Sequence, residues 1–324
     1  MSFTVNKKNV LITGGCGFIG SHIVDWVVQN GAEKIVVIDD LSAGTDTRYL
    51  KNYIKEGTVE FFKKDIRNTL PDASEYKDID IIFHFAAQPS VPISVKKPFM
   101  DFEINVSASM KILEAMRYNS IPYIVFAASG GTMYGERNEV MSEDSALRPI
   151  SNYGAAKAAF EMYLSSYSHL YEIGSISLRF GNIFGPRSTH GVMYDFYMKL
   201  KKNSSELEIL GNGKQLKSYL YITDLINALD LVVKKIQKGS FNPYNISTER
   251  LVSVKEIADM VVNAMGLKNV EYKYTGGERG WPGDVRKISL DTRKIRSLGW
   301  KPKVSIEDGV KKYVEFLEAM NDSI

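Results

Sequence analysis

The stretch Asn9-Val10-Leu11-Ile12-Thr13-Gly14-Gly15-Cys16-Gly17-Phe18-Ile19-Gly20 decides the fold. Val10 to Thr13 are apolar or β-branched and read as a buried strand. Glycines follow at 14, 17 and 20, and apolar residues then recur at Ile19, Ile23, Val24, Val27 and Val28 with helical spacing. Strand, glycine turn and helix in that order form a site for a pyrophosphate. Gly14 makes the tight turn, Gly17 lets the backbone approach the phosphates, and Gly20 lets helix and strand pack closely. The helix N-terminus adds free N–H groups and the positive end of its dipole.

Outward from this unit, a second strand, Lys34-Ile35-Val36-Val37-Ile38, ends at Asp39, nineteen residues beyond Gly20. A carboxylate there accepts hydrogen bonds from the hydroxyls of an adenosine ribose and repels a 2′-phosphate. Asp40 adds to the repulsion, and the nearest following arginine is Arg48. The expected cofactor is therefore NAD and not NADP.

The loop Asp40-Leu41-Ser42-Ala43-Gly44 leads to a short helix near Thr47 to Lys55, a third strand over Thr58–Phe62, and then Asp65-Ile66-Arg67. A fourth strand, Asp80–His84, ends in the small residues Ala86 and Ala87, which let a ligand close to the backbone. A long helix is expected over about 101–118, a fifth strand over Pro122–Ala128, a second long helix over 152–171, and a strand over Ser175–Phe180. Strands and helices alternate throughout, which predicts a doubly wound parallel sheet over residues 1–180. From 181 to 324 the elements shorten, with helices near Val192–Lys202, Ile222–Gln237, Ser253–Met265 and Ser305–Leu317. This half reads as a smaller, irregular α/β domain capping the ligand edge, with later segments free to return to the first.

Composition narrows the class. Over 324 residues, 44% hydrophobic and 24% charged content is that of an ordinary globular protein. A net charge of +3, from 41 basic and 38 acidic residues, argues against nucleic acid as the main partner. The single cysteine, Cys16, excludes an intramolecular disulfide and suits a reducing cytoplasm. No apolar run reaches membrane-spanning length and no signal peptide is read at the N-terminus, so no membrane partner is expected. No metal ligand set is apparent.

The chemistry sits in Ser151-Asn152-Tyr153-Gly154-Ala155-Ala156-Lys157. Tyr153 and Lys157 are four apart and share one face of a helix. A free phenol, with a pKa of about 10, is a poor base at neutral pH. A lysine ammonium beside it, helped by the positive charge of an oxidised nicotinamide, favours the phenolate. Such a tyrosine could take the proton of a sugar hydroxyl while hydride leaves the same carbon. Ser129, at the end of the fifth strand, is placed to share that proton, and Thr132 is the competing hydroxyl.

Thr13–Gly20, His84-Phe85-Ala86-Ala87-Gln88, Tyr134-Gly135, Tyr153-x-x-x-Lys157 and Asn182-Ile183-Phe184-Gly185-Pro186-Arg187 stand in one order along the chain. They are followed by Gly211–Gln215, Tyr219–Asp224, Gly280–Asp284 and Leu298–Pro302. Together they resemble the extended short-chain dehydrogenase/reductases, the NAD-dependent epimerase/dehydratase family acting on nucleotide sugars. The resemblance covers nearly the whole chain. It implies that Gly14, Gly17, Phe18, Ile19, Asp39, Asp65, Ile66 and Ala86 contact NAD, and that Lys157 binds the nicotinamide ribose. Asn105 would support the site. Asn182, Arg187, Lys217 and Arg279 would hold the sugar nucleotide, and Ile288 would limit room beside the sugar's C2 substituent.

Two departures stand out. The serine-or-threonine stretch usual before Tyr-Gly carries Gly130-Gly131, and Lys217 replaces an arginine common before Tyr219, which keeps the charge but loses the fork. The family's dehydratases keep an Asp-Glu pair where this chain has Gly131-Thr132-Met133. The reaction implied is C4 epimerisation of a UDP-hexose (UDP-glucose and UDP-galactose), with other nucleotide-sugar epimerases and a 4,6-dehydratase as alternatives. A non-catalytic NAD-binding sensor is the alternative of another class. Such proteins typically lose Tyr153 or Lys157. Members of the family commonly form homodimers through the two long helices, where Phe102, Ile112, Phe160 and Tyr163 are the apolar candidates.

Overall fold

The computed structural model describes residues 2–43 and 46–321. Gly44, the last residue of the loop expected after Asp39, lies outside the described residues. Seven parallel strands form the central sheet: β1 (Asn9–Thr13), β2 (Lys34–Asp39), β3 (Glu60–Lys63), β4 (Ile81–His84), β5 (Tyr123–Ala128), β6 (Gly174–Phe180) and β7 (Phe241–Ile246). Their order across the sheet is β7-β6-β5-β4-β1-β2-β3. The order reverses between β1 and β4, which opens a ligand crevice beyond their C-terminal ends.

Both faces of the sheet are covered, so its strands are apolar almost throughout. Side chains alternate: Val10, Ile12, Val37, Phe83 and Val125 join the cluster that includes Ile23, Val24 and Val27 of α1 (Phe18–Gln29). Leu11, Val36, Ile38, Ile82 and Ile124 face the other way, onto Ile112, Leu113, Phe160 and Leu164. Those four residues belong to the two long helical stretches. The second of these, Asn152–Tyr171, has its expected bounds.

The first is not one regular helix. Pro98–Phe102 is α-helical, Glu103–Ala108 forms a π-helical turn, and Ser109–Tyr118 resumes the α-helix. The wider turn seats the Asn105 side chain on the backbone of Gln88, whose N–H it accepts at 3.0 Å and whose carbonyl it donates to at 3.0 Å. Smaller differences are a shorter helix at Lys51–Lys55 and a third strand shifted to Glu60–Lys63.

Six of the seven strands come from residues 1–180, and β7 comes from the second half, its Phe241–Ile246 in register with Ser175–Phe180. The rest of that half builds short sheets. Leu216–Tyr221 pairs with Asn182–Phe184 and with Leu251–Ser253, and Glu206–Ile209 pairs with Glu271–Tyr274. Ser289–Leu290 returns to pair with Val140–Met141. Among the described residues no helix is long and apolar enough to cross a membrane.

Candidate active site

Gly14 holds a left-handed φ of +73°, and a Cβ there would lie 2.6 Å from the Ala86 nitrogen. A Cβ at Gly17 would meet only the Gly14 oxygen, at 3.2 Å, so the outer side of the turn is open to a ligand. A Cβ at Gly20 would overlap the Gly14 carbonyl, which explains the close packing of helix on strand. Helix α1 starts at Phe18 with no side-chain cap, leaving its first N–H groups for an anion. Phe18 is buried and Ile19 half-buried in the same turn.

Asp39 ends β2 beside this turn. One carboxylate oxygen accepts from Cys16 N–H and the other from Leu41 N–H, both at 2.9 Å. Burial raises its pKa, and these two bonds oppose the rise. Burial and the neighbouring Asp39 push the Cys16 thiol up to about 12, which makes it inert. Asp65 caps the turn Ile66–Asn68 by accepting from Arg67 N–H at 2.8 Å, and the Arg67 guanidinium holds its carboxylate at 2.6 Å. That ion pair lowers the Asp65 pKa and occupies part of its accepting capacity.

At the end of β4, His84 is fully buried between two hydroxyls. Nδ1 lies 2.7 Å from Thr13 Oγ1 and Nε2 lies 2.9 Å from Ser109 Oγ. Burial lowers its pKa to about 3, so it is a neutral bridge from the phosphate turn to the first long helix.

Ser151 caps the second long helix, accepting from Gly154 N–H at 3.2 Å, which places Tyr153 in its first turn. Tyr153 N–H is further fixed by Ser94 Oγ at 3.1 Å. Ser129 acts on the phenol of Tyr153, opposing the rise in its pKa, and Thr132 Oγ1 donates to Ser129 Oγ at 2.8 Å. The two candidate hydroxyls are thus joined to each other, and Ser129 is the one that acts on the phenol. Lys157 Nζ donates to Ala127 O at 2.9 Å and lies 5.8 Å from the Tyr153 ring centre. Burial dominates both groups. It raises the phenol's pKa and lowers that of Lys157 to about 7. The expectation that the lysine ammonium, helped by the positive charge of an oxidised nicotinamide, favours the phenolate meets this burial as an opposing effect. Burial opposes both charges, and the pair is poised near neutrality on the lysine side.

Gly130 has a steric cause: a side chain there would press on Arg179 O and on Leu290. The nearby Tyr134 is locked by Arg179 Nη1, which donates to its hydroxyl at 2.7 Å, and Arg179 is paired with Glu161 at 2.5 Å in the core.

On the far side of the crevice, Asn182 is exposed at the start of its strand and donates to Ser218 O at 3.0 Å. Lys217 and Arg279 come together around Asp284. Lys217 Nζ is 2.7 Å from its carboxylate and Arg279 bonds its carbonyl. Arg279 also pairs with Glu136 at 2.7 Å. The two cations expected to face a diphosphate thus each have a carboxylate partner as well, Asp284 for Lys217 and Glu136 for Arg279. Glu136 carried no sign of this in the sequence. Burial works against its charge, yet the bonds from Arg286 and Arg279 bring its carboxyl down to about 2.

Two expected residues lie elsewhere. Arg187 is paired with Asp25 of α1 at 2.7 Å and stacked on Tyr49 at 4.7 Å, so its guanidinium serves the α1 face. Ile288 is 1% exposed within a cluster of Tyr134, Met141, Val285 and Leu290. It is a core residue there, because Ser289–Leu290 turns back onto Val140–Met141 and carries it inward. Among the described residues no cluster of His, Cys, Asp and Glu could hold a metal ion.

The family model described as GDP-mannose 4,6 dehydratase matches residues 11–313. A Methanocaldococcus jannaschii protein provisionally named a UDP-glucose 4-epimerase is 36% identical over 318 residues, covering 96% of this chain and 99% of that one. The dTDP-D-glucose 4,6-dehydratase of Mus musculus is 28% identical, covering 95% of this chain and 88% of its own. The crystal structure of the Thermus thermophilus UDP-glucose 4-epimerase complex with NAD superposes with a TM-score of 0.86 at 33% identity, covering 96% of this chain and 99% of that one. Glycine turn, Tyr153–Lys157 pair and whole-chain similarity agree: this chain belongs to the extended short-chain dehydrogenase/reductases, in the NAD-dependent epimerase/dehydratase family.

Proposed function

We propose that this protein is a nucleotide-sugar 4-epimerase acting on a UDP-hexose, with UDP-glucose and UDP-galactose as the pair interconverted. The observation that carries the reading is Tyr153 with buried Lys157 5.8 Å from its ring and Lys157 held on Ala127 O, at the C-terminal edge of the sheet and next to an open phosphate turn.

The cofactor is NAD. The open side of Gly17, the uncapped start of α1 and the fixed carboxylate of Asp39 fit a pyrophosphate and an unphosphorylated ribose. Gly14, Phe18, Ile19, Asp65, Ile66 and Ala86 complete that wall. When bound, NAD would supply the two-electron acceptor that lets hydride leave the sugar's C4 and, once the 4-keto sugar has turned over in the pocket, return to its opposite face. Tyr153 takes the C4 hydroxyl proton and gives it back, Ser129 holds the reacting oxygen, and Lys157 binds the nicotinamide ribose and keeps positive charge near the phenol. Asn182, with Lys217 and Arg279 held by Asp284 and Glu136, forms the side facing the nucleotide.

A 4,6-dehydratase is the second reading, favoured by the name of the matching family model and by the murine relative. Elimination of water across C5 and C6 needs a further acid and base, and the segment Ser129–Tyr134 contains no carboxylate. Incubating the purified protein with UDP-galactose tests both. Appearance of UDP-glucose supports epimerisation, and accumulation of a 4-keto-6-deoxy sugar nucleotide would replace it with dehydration.

We further propose a homodimer in the cytoplasm. Phe99, Phe102, Tyr118, Met162, Tyr163 and Leu170 are exposed on the two long helical stretches, where pairing through those stretches would cover them. Ile112 and Phe160, the other candidates, are buried within the subunit.

A further inference from the structure

The N-terminal end of the second long helix packs against Val91–Lys96 and Pro98–Phe102, and this contact hides a carboxylate that no part of the proposed chemistry uses. Asp101 is 1% exposed. Its Oδ1 accepts from Gln88 Nε2 at 2.7 Å and from Asn105 Nδ2 at 2.9 Å. Both donors are neutral amides, and among the described residues Asp101 makes no ion pair. Burial raises its pKa, while the two amide bonds and the more distant Lys157 oppose the rise. An ionised carboxylate buried without a contact cation is costly to keep. A neutral side chain of the same shape would serve the packing as well, so the charge itself calls for a cause.

We infer that Asp101 is a positioning residue of this site: its charge acts on Tyr153 and Lys157 together, while its oxygen fixes the two amides that shape the strand-end segment beneath them. The amide network is continuous. Asn105 grips both backbone groups of Gln88, and Gln88 in turn bonds Ser90, which accepts from Ile93 N–H at the start of the helix carrying Ser94. Ser94 Oγ then accepts from Tyr153 N–H.

The through-space effect has one sign for both groups. A negative charge disfavours loss of a proton from the Tyr153 phenol and favours retention of one by Lys157. Neighbouring elements bring no rival charge. From β4, His84 is neutral; from the second long helix, Glu161 is neutralised by Arg179; Lys96, Lys97 and Glu103 beside Asp101 are exposed to water. Asp101 is thus the buried negative charge of the set, with Lys157 as its one buried counter-charge and no contact ion pair between them.

The inference rests on the proposed proton transfer through Tyr153, and its test separates the two. If Tyr153 must lose its proton and Lys157 must keep its own, kcat for UDP-hexose interconversion is bell-shaped in pH. Asp101→Asn then moves both limbs to lower pH by about half a unit to one unit. Asp101→Glu restores the charge and returns both limbs to their wild-type positions, even where maximal kcat is reduced. A purely structural role would lower kcat in both variants with the limbs unmoved, and that result overturns the inference. So do limbs that move in opposite directions. A second readout needs no turnover: the NMR titration of the Lys157 side chain, assigned with Lys157→Met, falls to lower pH in Asp101→Asn and is unchanged in Asp101→Glu. Failure of wild type to turn over any UDP-hexose would overturn the proposed function and leave this titration to decide the role of Asp101.

Discussion

Thr132 Oγ1 donates a 2.8 Å hydrogen bond to Ser129 Oγ, and Ser129 is the hydroxyl whose influence reaches the Tyr153 phenol. Graded losses follow. Tyr153→Phe keeps the fold and loses about two to four orders of magnitude in turnover. Ser129→Ala removes a bond to a developing charge and costs about ten- to a hundredfold, whereas Thr132→Val costs about tenfold or less. Steady-state rates for the three variants check the order. A larger loss at Thr132 than at Ser129 would exchange their roles.

Cofactor choice is read at Asp39. Its two oxygens are fixed by Cys16 N–H and Leu41 N–H, so the carboxylate cannot swing away from an incoming 2′-phosphate. NAD is expected to bind at least tenfold more tightly than NADP, since even about 1.4 kcal/mol of repulsion is a factor of ten. Calorimetry on cofactor-free protein measures the ratio, and comparable affinities would contradict it.

His84 gives stability a pH dependence. Its folded pKa is lowered to about 3, below the unfolded value near 6.5. Between those values the unfolded chain binds the extra proton, so stability falls as pH drops below about 6.5, by about 1.4 kcal/mol per unit for one proton. His22 and His190 are also lowered by burial and add to the slope. Urea unfolding at pH 7 and pH 5 is expected to show a shallower dependence for His84→Gln than for wild type. Equal slopes would mean that His84 is not held neutral.

Phe102 and Tyr163, each exposed on a long helical stretch, are expected to lie in the dimer contact. Light scattering at micromolar concentration should give twice the subunit mass for wild type, and a single subunit mass for the double variant Phe102→Glu with Tyr163→Glu. A monomeric wild type would remove the proposal.

The sheet was legible because its strands are buried on both faces: runs such as Val36 to Ile38 and Ile81 to Phe83 have one reading. The Tyr153–Lys157 pair was legible because helical spacing alone puts both on one face. What could not be read depends on partners distant in the chain. The sequence shows Lys217 and Arg279 as cations, and nothing near either announces that Asp284 and Glu136 hold them. Ile288 looked like a pocket wall by position after Asp284, and became core because Ser289–Leu290 pairs with a strand almost 150 residues earlier. The π-helical turn at Asn105 escaped because its apolar spacing differs little from that of an unbroken helix.

Strand β7 reaches the sheet only from residues 241–246, beside a β6 whose seven residues are all buried. During synthesis, β6 must therefore wait as an open edge while some sixty further residues emerge. It waits with Arg179 and Glu161 in place and its outer hydrogen-bonding row bare. Completion of the first half of the chain is thus tied to delivery of the second, and the nascent protein passes through a stage in which a neighbouring chain could supply the missing strand. Slow or interrupted translation between residues 180 and 241 prolongs the stage in which that edge is open.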